Sequence, residues 1–393
     1  LVTGWDIIFL WVARMAMAGF EWRGEKPFNH VYFTGMVRDK QRRKMSKQLG
    51  NSPDALKLIE DFGADGVRFG MLSSSPAGGD LLFDEKLVEQ GRNFCNKIWN
   101  AKNFIKGLNV SETMEPGKMQ LLASQWISDK FEIIAKEVNE DIMQYRLSES
   151  LTKIYSFIWT DYCSWYIEMI KPSMNESIDK KTYHAAIEIL KKICSLLHPF
   201  MPFITEEVWH QVSENKEKTD CILSAYPQGT SIDSEVLKAI EHGKKVITSV
   251  REVRSKNGMK SRDELPLCCK KTSTTAQFMN LEGYCDLISK MAVLSKFEIT
   301  DKESKGIGFI VDADQYTVEV ELKIDTAKEI EEKQKELDHQ IKFVASIESK
   351  LSNEKFVNSA PEKVIELEKK KLHDGQERTR ILKEEIERLK AGS

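Results

Sequence analysis

The chain has 393 residues, of which 58 are Lys or Arg and 61 are Asp or Glu, so its formal net charge is −3. At roughly 150 residues per domain, this length predicts two or three domains. With 41% hydrophobic and 30% charged residues the chain can bury a core. The near-neutral balance excludes a histone-like polycation, but it does not exclude nucleic-acid binding by local basic patches.

The seven cysteines are scattered without a Cys-x-x-Cys pair. This usage predicts free thiols in the reducing cytoplasm. No His/Cys set has the spacing of a zinc site, so no structural metal is predicted. The longest apolar run near the start, residues 7–13, is far shorter than the ~20 residues of a membrane span, so no membrane contact is expected. The start at Leu1, without Met, predicts a piece of a longer polypeptide.

The first 80 residues predict the last part of an α/β domain. Residues 7–20 are almost wholly apolar, which is typical of a buried helix, and Gly19 predicts its end. The β-rich stretch 30–34 predicts a short buried strand that ends before Gly35. A helix followed by a strand, with more helices after it, indicates the tail of an α/β sheet.

A basic loop follows that strand over residues 38–51, with six basic residues and one acid. Ser52 as the N-cap and Pro53 at the first helical position then predict a helix that Gly63 ends. Flexible lysines and a hydroxyl after a buried strand are suited to binding phosphate, since open α/β sheets bind ligands at the carboxyl ends of their strands. A solvated basic turn is the alternative interpretation of the charge alone.

The remaining chain divides by pattern into three predicted domains. Apolar and aromatic residues at helical spacing predict a bundle of four or five helices over 81–232. Residues 233–325 predict a small α/β junction, with strands at 265–269, 297–300 and 316–324. Over 326–393, two long amphipathic helices predict an antiparallel coiled-coil hairpin. Its first helix carries apolar residues spaced by sevens, at Ile330, Leu337, Val344 and Leu351, and the stripe of the second is Val364, Leu367, Ile381, Ile386 and Leu389.

Several motifs resemble the class I aminoacyl-tRNA synthetases, and most closely the valyl-tRNA synthetases. KMSKQLGNSPD, from Lys44, resembles the KMSKS loop of that class, with Gln48 where the last Ser is usual. The other matching motifs are TGWDIIFLWVARM from Thr3, GADGVRF from Gly63, RNFCNKIWNA from Arg92, HPFMPFITEEVW from His198 and KLSNEKFV from Lys350. The resemblance covers nearly the whole chain and is weakest from about residue 210 to 325.

The resemblance implies roles for particular residues. Lys47 is expected to contact the phosphates of ATP and to stabilise the adenylation transition state, while Lys44 and Ser46 hold the loop closed. Asp6 is expected to bind the ammonium group of valine or polar groups beside it, and Ile7 and Trp11 to line the valine pocket. Four further residues would lie near the adenosine: Gly4, Gly35, Met36 and Val37.

Two basic groups are candidates for contact with tRNA. Arg251, Arg254 and Lys256 cluster beside a predicted turn, where a solvated helix end is the alternative interpretation. In the terminal hairpin the candidates are Lys369, Lys370 and Arg378. By resemblance, this hairpin leans on the outer corner of the L-shaped tRNA.

The implied fold is mainly α: the tail of a Rossmann-type catalytic domain (1–80), an anticodon-binding bundle (81–232), the α/β junction (233–325) and the coiled-coil arm (326–393). The implied activity is the activation of valine with ATP and Mg²⁺ and its transfer to tRNA(Val) by a monomeric parent enzyme. No His-x-Gly-His signature occurs, so the chain is expected to need an N-terminal catalytic half and editing domain. An isoleucyl or leucyl enzyme, or a non-catalytic tRNA-binding module, is the alternative.

Overall fold

The structure is a computed structural model that describes residues 1–46, 48–74, 79–173, 175–213, 219–300, 305–320, 326–353 and 361–391. The chain divides into two compact units, Leu1–Ser234 and Glu235–Ser393. The described residues are mostly helical with small sheets between the helices, which confirms the predicted helical character of the chain.

Two short pairs of parallel strands form the N-terminal region. Strand β1 (Val2–Gly4) pairs with β2 (Tyr32–Thr34), and β3 (Val37–Arg38) pairs with β4 (Leu81–Leu82). The predicted strand is confirmed in β2, although its side chains are half-buried or exposed rather than buried. Parallel pairing with a helical crossover is the arrangement of α/β domains.

Helix α1 (Ala13–Arg23) follows a 3-10 turn (Trp5–Ile7) and a π-helical turn (Ile8–Val12). The predicted end at Gly19 is wrong, since the helix continues to Gly24, which has a φ of 70°. Glycine adopts this left-handed conformation without strain. At Gly19 a Cβ would lie 2.9 Å from the Glu25 carbonyl oxygen, so this glycine permits a close approach by the chain that leaves the helix.

The apolar side chains of residues 7–22 are largely exposed, so the prediction of a buried helix is wrong for the described residues. Phe9 is 86% exposed, Met17 71% and Trp22 81%. Val12 is the one side chain of α1 and its preceding turns that is buried among the described residues. The region therefore presents a broad apolar surface.

Two helices follow the basic loop, α2 (Ala55–Phe62) and α3 (Ala64–Ser73). The predicted N-cap at Ser52 is wrong by two residues: the Asp54 carboxylate accepts a 2.9 Å hydrogen bond from the first turn of α2. An Asp at this position satisfies an orphan N–H group of the helix. Gly63, with a φ of 77°, separates α2 from α3 as predicted.

Six α-helices lie within the described part of residues 85–212, where the sequence predicts four or five, so the helical character of this region is confirmed and the helix count is not. They are α4 (Glu85–Lys106), α5 (Lys118–Met143), α6 (Leu147–Ser156), α7 (Ile167–Ile170), α8 (Lys180–Leu197) and α9 (Pro202–Val212), with a π-helical stretch (Phe157–Tyr166) before α7, a 3-10 turn (Cys221–Leu223) after α9 and a parallel bridge of β5 (Val110–Ser111) with β6 (Ile178–Asp179). Large side chains such as Phe94, Trp126 and Tyr162 are almost fully buried between these helices.

Glycines bring α3 and α4 into close contact. A Cβ on Gly91 of α4 would lie 2.6 Å from the carbonyl oxygen of Gly66 and 2.8 Å from Cβ of Phe69. A Cβ on Gly70 would lie 2.8 Å from the backbone nitrogen of Val88. Because backbone atoms occupy these positions, the helices would have to separate to admit any side chain.

The second unit begins with α10 (Glu235–Lys256). The elements that follow are β7 (Leu265–Lys270), α11 (Ser273–Met279), α12 (Tyr284–Ala292), β8 (Leu294–Thr300), β9 (Ile307–Val311) and β10 (Asp314–Val318). Among the described residues, the four strands form a sheet in the order β8–β7–β10–β9. The predicted strands at 265–269 and 297–300 are confirmed within β7 and β8. The third is confirmed in β10, which ends at Val318, and its predicted part over 321–324 lies outside the described residues.

The last two helices, α13 (Thr326–Leu351) and α14 (Glu362–Ala391), pack against each other in opposite directions. Lys333 pairs with Glu385 at 2.6 Å and Glu336 with Arg378 at 2.7 Å, so the contacts advance along one helix as they retreat along the other. The contact core is Leu337, Leu382 and Ile386, with Ile330 and Ile310 packed beside it. Val364 and Leu367, predicted as part of the stripe, are exposed at 39% and 53%.

Replacing Gly91 with Ala is expected to destabilise the chain. Overpacking costs about 1–3 kcal/mol, which exceeds the gain of up to about 1 kcal/mol that Ala brings to a helix interior. Asn93→Ala, at an exposed position of α4, is the matched control and is expected to be near neutral. Urea denaturation monitored by circular dichroism measures both. Equal stability of the two variants would show that α3 and α4 are not held by this contact.

Candidate active site

The carboxyl ends of β1 and β2 meet at one edge, because Gly4 lies opposite Thr34 in the parallel register. Gly4 is followed by the turn that carries Asp6 and Ile7, and Thr34 is followed by Gly35 and Met36. The sequence-predicted residues of two separate segments are therefore brought together where open α/β sheets bind ligands.

Asp6 and Lys44 approach each other across this edge. Nζ of Lys44 lies 3.9 Å from Oδ2 of Asp6, and the two side chains are 60% and 43% exposed. An exposed pair at this distance contributes little stability, so each charge remains accessible to a ligand. Ile7 is half-buried and Trp11 is 60% exposed on the same stretch.

Gly35 lies against the backbone that precedes β4. A Cβ there would overlap the carbonyl group of Gly79, so only glycine fits. Oδ1 of Asp80 accepts a 3.2 Å hydrogen bond from the Met36 N–H, and its carboxylate forms an ion pair with Arg38. The hydrogen bond from Arg38 lowers the pKa of Asp80. These contacts position residues 35–38 beside β4.

Asp39 shapes the basic loop from within. Its Oδ1 accepts 2.9 Å hydrogen bonds from the N–H groups of Gln41 and Arg43, and its Oδ2 accepts from Nε of Arg43 at 2.8 Å. Nδ2 of Asn51 donates to the same Oδ2 at 3.0 Å. The hydrogen bond from Asn51, followed by those from Arg43, holds the pKa of Asp39 well below its usual range.

Asn51 closes the loop at its other end. Its Nδ2 also donates to the Lys44 carbonyl at 3.3 Å, and its Oδ1 accepts from the Ser46 N–H at 3.0 Å. The Ser46 hydroxyl accepts from the Leu49 N–H at 3.3 Å, which makes it a turn residue as well. Lys47, the predicted contact to ATP phosphates, lies outside the described residues.

Sequence reasoning singled out the cations of this loop and missed Asp39 and Asn51 as its organisers. The signal was present, because a lone acid among six basic residues and an Asn next to a Gly are both typical of turns. Their partners lie 2 to 12 positions away, and spacing alone does not reveal the longer contacts.

The helices after the loop are joined to the bundle by Asp65 and Arg68. The buried carboxylate of Asp65 accepts hydrogen bonds from the N–H groups of Ile204 (2.6 Å) and Phe203 (3.4 Å), in the first turn of α9. Burial raises the pKa of Asp65, and the two N–H groups oppose this rise. Nε of Arg68 donates to the Phe200 carbonyl at 2.9 Å. The motifs GADGVRF and HPFMPF therefore contact each other directly.

The basic residues of α10 differ in what they contact. Arg254 is 5% exposed and donates hydrogen bonds of 2.7–2.8 Å to the carbonyls of Ala292, Asp263 and Val293. This position makes it a structural residue of the α/β domain and counts against the predicted contact with RNA. Arg251 is exposed and donates to the Met291 carbonyl at 3.1 Å. Lys256 is also exposed, in the last turn.

In the terminal hairpin, Lys369 and Lys370 are exposed on α14. Arg378 is half-buried and is paired with Glu336 across the hairpin at 2.7 Å.

None of the described helices is both long enough and apolar enough to cross a membrane.

Three segments of the chain match models of known families. Residues 1–84 match the class I tRNA synthetases (I, L, M and V), residues 124–269 match the anticodon-binding domain of tRNA ligase, and residues 325–390 match the valyl tRNA synthetase tRNA binding arm. The order of the segments is the order in which the motifs occur in the sequence.

Curated relatives are similar over nearly the whole chain. The valine–tRNA ligase of Christiangramia forsetii is 44% identical over 390 residues, which cover 99% of this chain and 44% of that protein. That of Bacteroides thetaiotaomicron is 44% identical over 393 residues, with the same coverage. That of Chlorobaculum tepidum is 32% identical over 403 residues, covering 98% of this chain and 44% of the relative. The chain thus spans less than half of the length of these relatives.

Among solved structures, the ternary complex of Agrobacterium radiobacter K84 agnB2 LeuRS with tRNA and LeuAMS aligns over 69% of this chain and 30% of that chain. The TM-score is 0.44 and the sequence identity 17%, a similarity too low to support a conclusion.

The loop is expected to loosen when its Asp39–Asn51 contact is removed. Because the folded pKa of Asp39 is depressed, its contribution to loop order is present at neutral pH and is lost as the pH falls below its ordinary value of about 3.9. Asn51→Ala should shift that loss to higher pH and speed amide exchange over residues 39–51 at pH 7. Gln41→Ala is the control, because Gln41 contributes its backbone N–H. Hydrogen-exchange mass spectrometry reads both, and unchanged exchange in Asn51→Ala would contradict the assignment.

Asp65→Ala is expected to destabilise the first unit. The change leaves two N–H groups of α9 without their carboxylate acceptor, and loss of an N-terminal cap of this kind costs about 0.5–2 kcal/mol. Asp61→Ala, at an exposed position of α2, is the control. Thermal unfolding of the two variants compares them. Because the folded pKa of Asp65 is raised, ionisation of its carboxyl works against folding, and wild-type stability should gain on mild acidification relative to Asp65→Asn.

Proposed function

The chain belongs to the class I aminoacyl-tRNA synthetases, with valine–tRNA ligases as its relatives, and we propose that it forms the C-terminal part of an enzyme that activates valine with ATP and transfers it to tRNA(Val). The observation that carries the proposal is the approach of Asp6 to Lys44 at the carboxyl edge of β1 and β2. An anionic and a cationic side chain, loosely paired and accessible, are what a zwitterionic amino acid and a polyphosphate require at one site.

Valine would be bound beside Asp6. Its ammonium group would replace Lys44 as the partner of the Asp6 carboxylate, and Ile7 and Trp11 would contact its side chain. An apolar pocket of this kind excludes a larger side chain by size, whereas it rejects a hydroxylated isostere of valine only weakly.

ATP, as its Mg²⁺ complex, would bind on the other side of the edge. The backbone at Gly4 and at Gly35, Met36 and Val37 would contact the adenosine. Lys47 would hold the phosphates, and Lys44 and Ser46 would keep the loop closed, which places the charge of Lys44 beside the phosphates. Positive charge placed in advance where negative charge develops on the departing pyrophosphate lowers the barrier to adenylate formation.

The proposed tRNA contacts follow the chain from the bundle to the arm. We place them at the helical bundle, at Arg251 and Lys256 of α10, and at Lys369, Lys370 and Arg378 of α14. Exposed cations bind the phosphate backbone irrespective of sequence, so identity of the tRNA would be read elsewhere, in the bundle. Arg254 supports this surface from inside the domain rather than touching RNA.

The chain alone is expected to give no valine-dependent ATP–pyrophosphate exchange, since it contains no His-x-Gly-His sequence. Within the full-length polypeptide, Lys44→Ala should lower the exchange rate about 100-fold or more, the typical effect of removing one group that stabilises developing charge. Lys57→Ala, an exposed Lys on α2, is the control. Unimpaired exchange by Lys44→Ala would contradict the proposed role of the loop, and a preference for isoleucine over valine would contradict the substrate.

A further inference from the structure

Glu206 of α9 lies between two groups of side chains that can bind metal ions. His198 and Cys221 flank it on one side, and His210 and Asp220 on the other. Within each group the nearest ligand atoms lie within 4.8 Å of one another. None of these side chains has a role in the proposed function.

The ring of His198 is held in one orientation. The Thr205 hydroxyl donates its hydrogen to the Met201 carbonyl at 2.8 Å, and it lies 2.8 Å from Nδ1 of His198. Since a hydroxyl has one hydrogen to donate, Thr205 accepts from Nδ1–H, and in the neutral ring the lone pair is on Nε2. A histidine whose second nitrogen is fixed by such a partner is the usual form of a histidine that binds metal.

That lone pair faces a carboxylate. Nε2 of His198 lies 3.9 Å from Oε2 of Glu206, which is too long for a direct hydrogen bond. Zinc bonds to nitrogen and oxygen of about 2.0–2.1 Å each can be accommodated across this gap. A cation between the two atoms would also remove the repulsion between the lone pair and the carboxylate.

Cys221 completes the first of the two groups, His198, Glu206 and Cys221, which we call the inner group. It is 2% exposed at the start of the 3-10 turn, and its backbone N–H donates to Oε1 of Glu206 at 2.7 Å, which orients the carboxylate. Zinc binds a cysteine as its thiolate, so a bound cation would displace the proton of the Cys221 thiol to solvent.

We propose that His198 Nε2, the Glu206 carboxylate and Cys221 Sγ bind one zinc ion, with water as the fourth ligand. A set of imidazole, carboxylate and thiolate suits zinc, whereas magnesium and calcium take oxygen ligands. Glu206, His210 and Asp220 form the outer group, in which Nε2 of His210 lies 3.1 Å from Glu206 and 3.2 Å from Asp220, at hydrogen-bond distances.

The three ligands come from three elements: the end of α8, the second turn of α9 and the turn at Cys221. A zinc ion would therefore fasten the α8–α9 corner, whose carbonyls and N–H groups are those that Arg68 and Asp65 bind. Binding only the folded chain, the ion would stabilise this corner and raise the melting temperature. The role is structural and leaves the proposed adenylation chemistry unchanged.

The test uses the whole 393-residue chain, stripped with a chelator and titrated with Zn²⁺ by calorimetry and with Co²⁺ by absorption. We expect one equivalent to bind, about one proton to be released per ion, and Co²⁺ to give the near-ultraviolet charge-transfer band of a thiolate ligand. Cys221→Ser should abolish the band, and His198→Gln should weaken binding at least tenfold. His210→Gln and Asp220→Asn, in the outer group, are the matched controls and should leave the band unchanged.

X-ray absorption of the zinc-loaded wild-type chain tests the ligands without relying on any variant. One sulfur at about 2.3 Å, with nitrogen and oxygen neighbours at about 2.0–2.1 Å, supports the proposal. Absence of stoichiometric binding would overturn it. So would a shell without sulfur, or binding that His210→Gln abolishes and Cys221→Ser leaves intact, because either result would place the ion at the outer group.

Discussion

The buried carboxylate of Asp65 lies at the N-terminus of α9, where the N–H groups of Phe203 and Ile204 point toward it. Burying a charge is costly unless hydrogen bonds replace water, and a helix N-terminus supplies both donors and a favourable dipole. Arg68, one turn further along α3, binds the carbonyl groups that precede the same helix. Because Gly63 alone separates α3 from α2, and α2 follows the basic loop, the C-terminal exit of that loop is anchored to the bundle through this contact.

The basic loop owes its shape to one carboxylate and one amide side chain more than to its cations. Asp39 gathers N–H donors from the turn and from Arg43, and Asn51 ties the two ends together. These groups are satisfied inside the loop, whereas the pair of Lys44 with Asp6 is long and exposed. Hydrogen bonds of Asp39 and Asn51 thus hold the backbone of the loop. The ion pair that a ligand would have to break is the long, exposed pair of Lys44 with Asp6. A site arranged in this way is preorganised, and little free energy is lost when a substrate replaces the internal partner.

Periodicity predicted the helices of the bundle and the hairpin well, because burial of an apolar stripe is encoded locally. The ends of elements were less predictable. Both Gly19 and Gly24 could end α1 by sequence; the structure uses Gly24, which has a φ of 70°, and the Glu25 carbonyl then lies against Gly19. The sequence predicted Arg254 as a surface cation, whereas the structure buries it and three carbonyl groups accept its hydrogen bonds. Spacing in the sequence did not predict the inner group of His198, Glu206 and Cys221, because these residues come from three elements.

The apolar surface of residues 7–22 differs from the rest of the first unit. Helices of the bundle bury Phe94, Trp126 and Tyr162 almost completely, whereas Phe9 and Trp22 are more than 80% exposed. Exposed apolar surfaces of this kind mark interaction sites. The curated relatives are more than twice as long as this chain, so the proposed enzyme would include a further part that this chain does not contain. Packing of that part against residues 7–22 would bury the apolar side chains and place Asp6, Ile7 and Trp11 inside a pocket rather than on a surface. Of the side chains that the proposed function requires for selecting valine, Ile7 is half-buried and Trp11 is 60% exposed, and such packing would cover both.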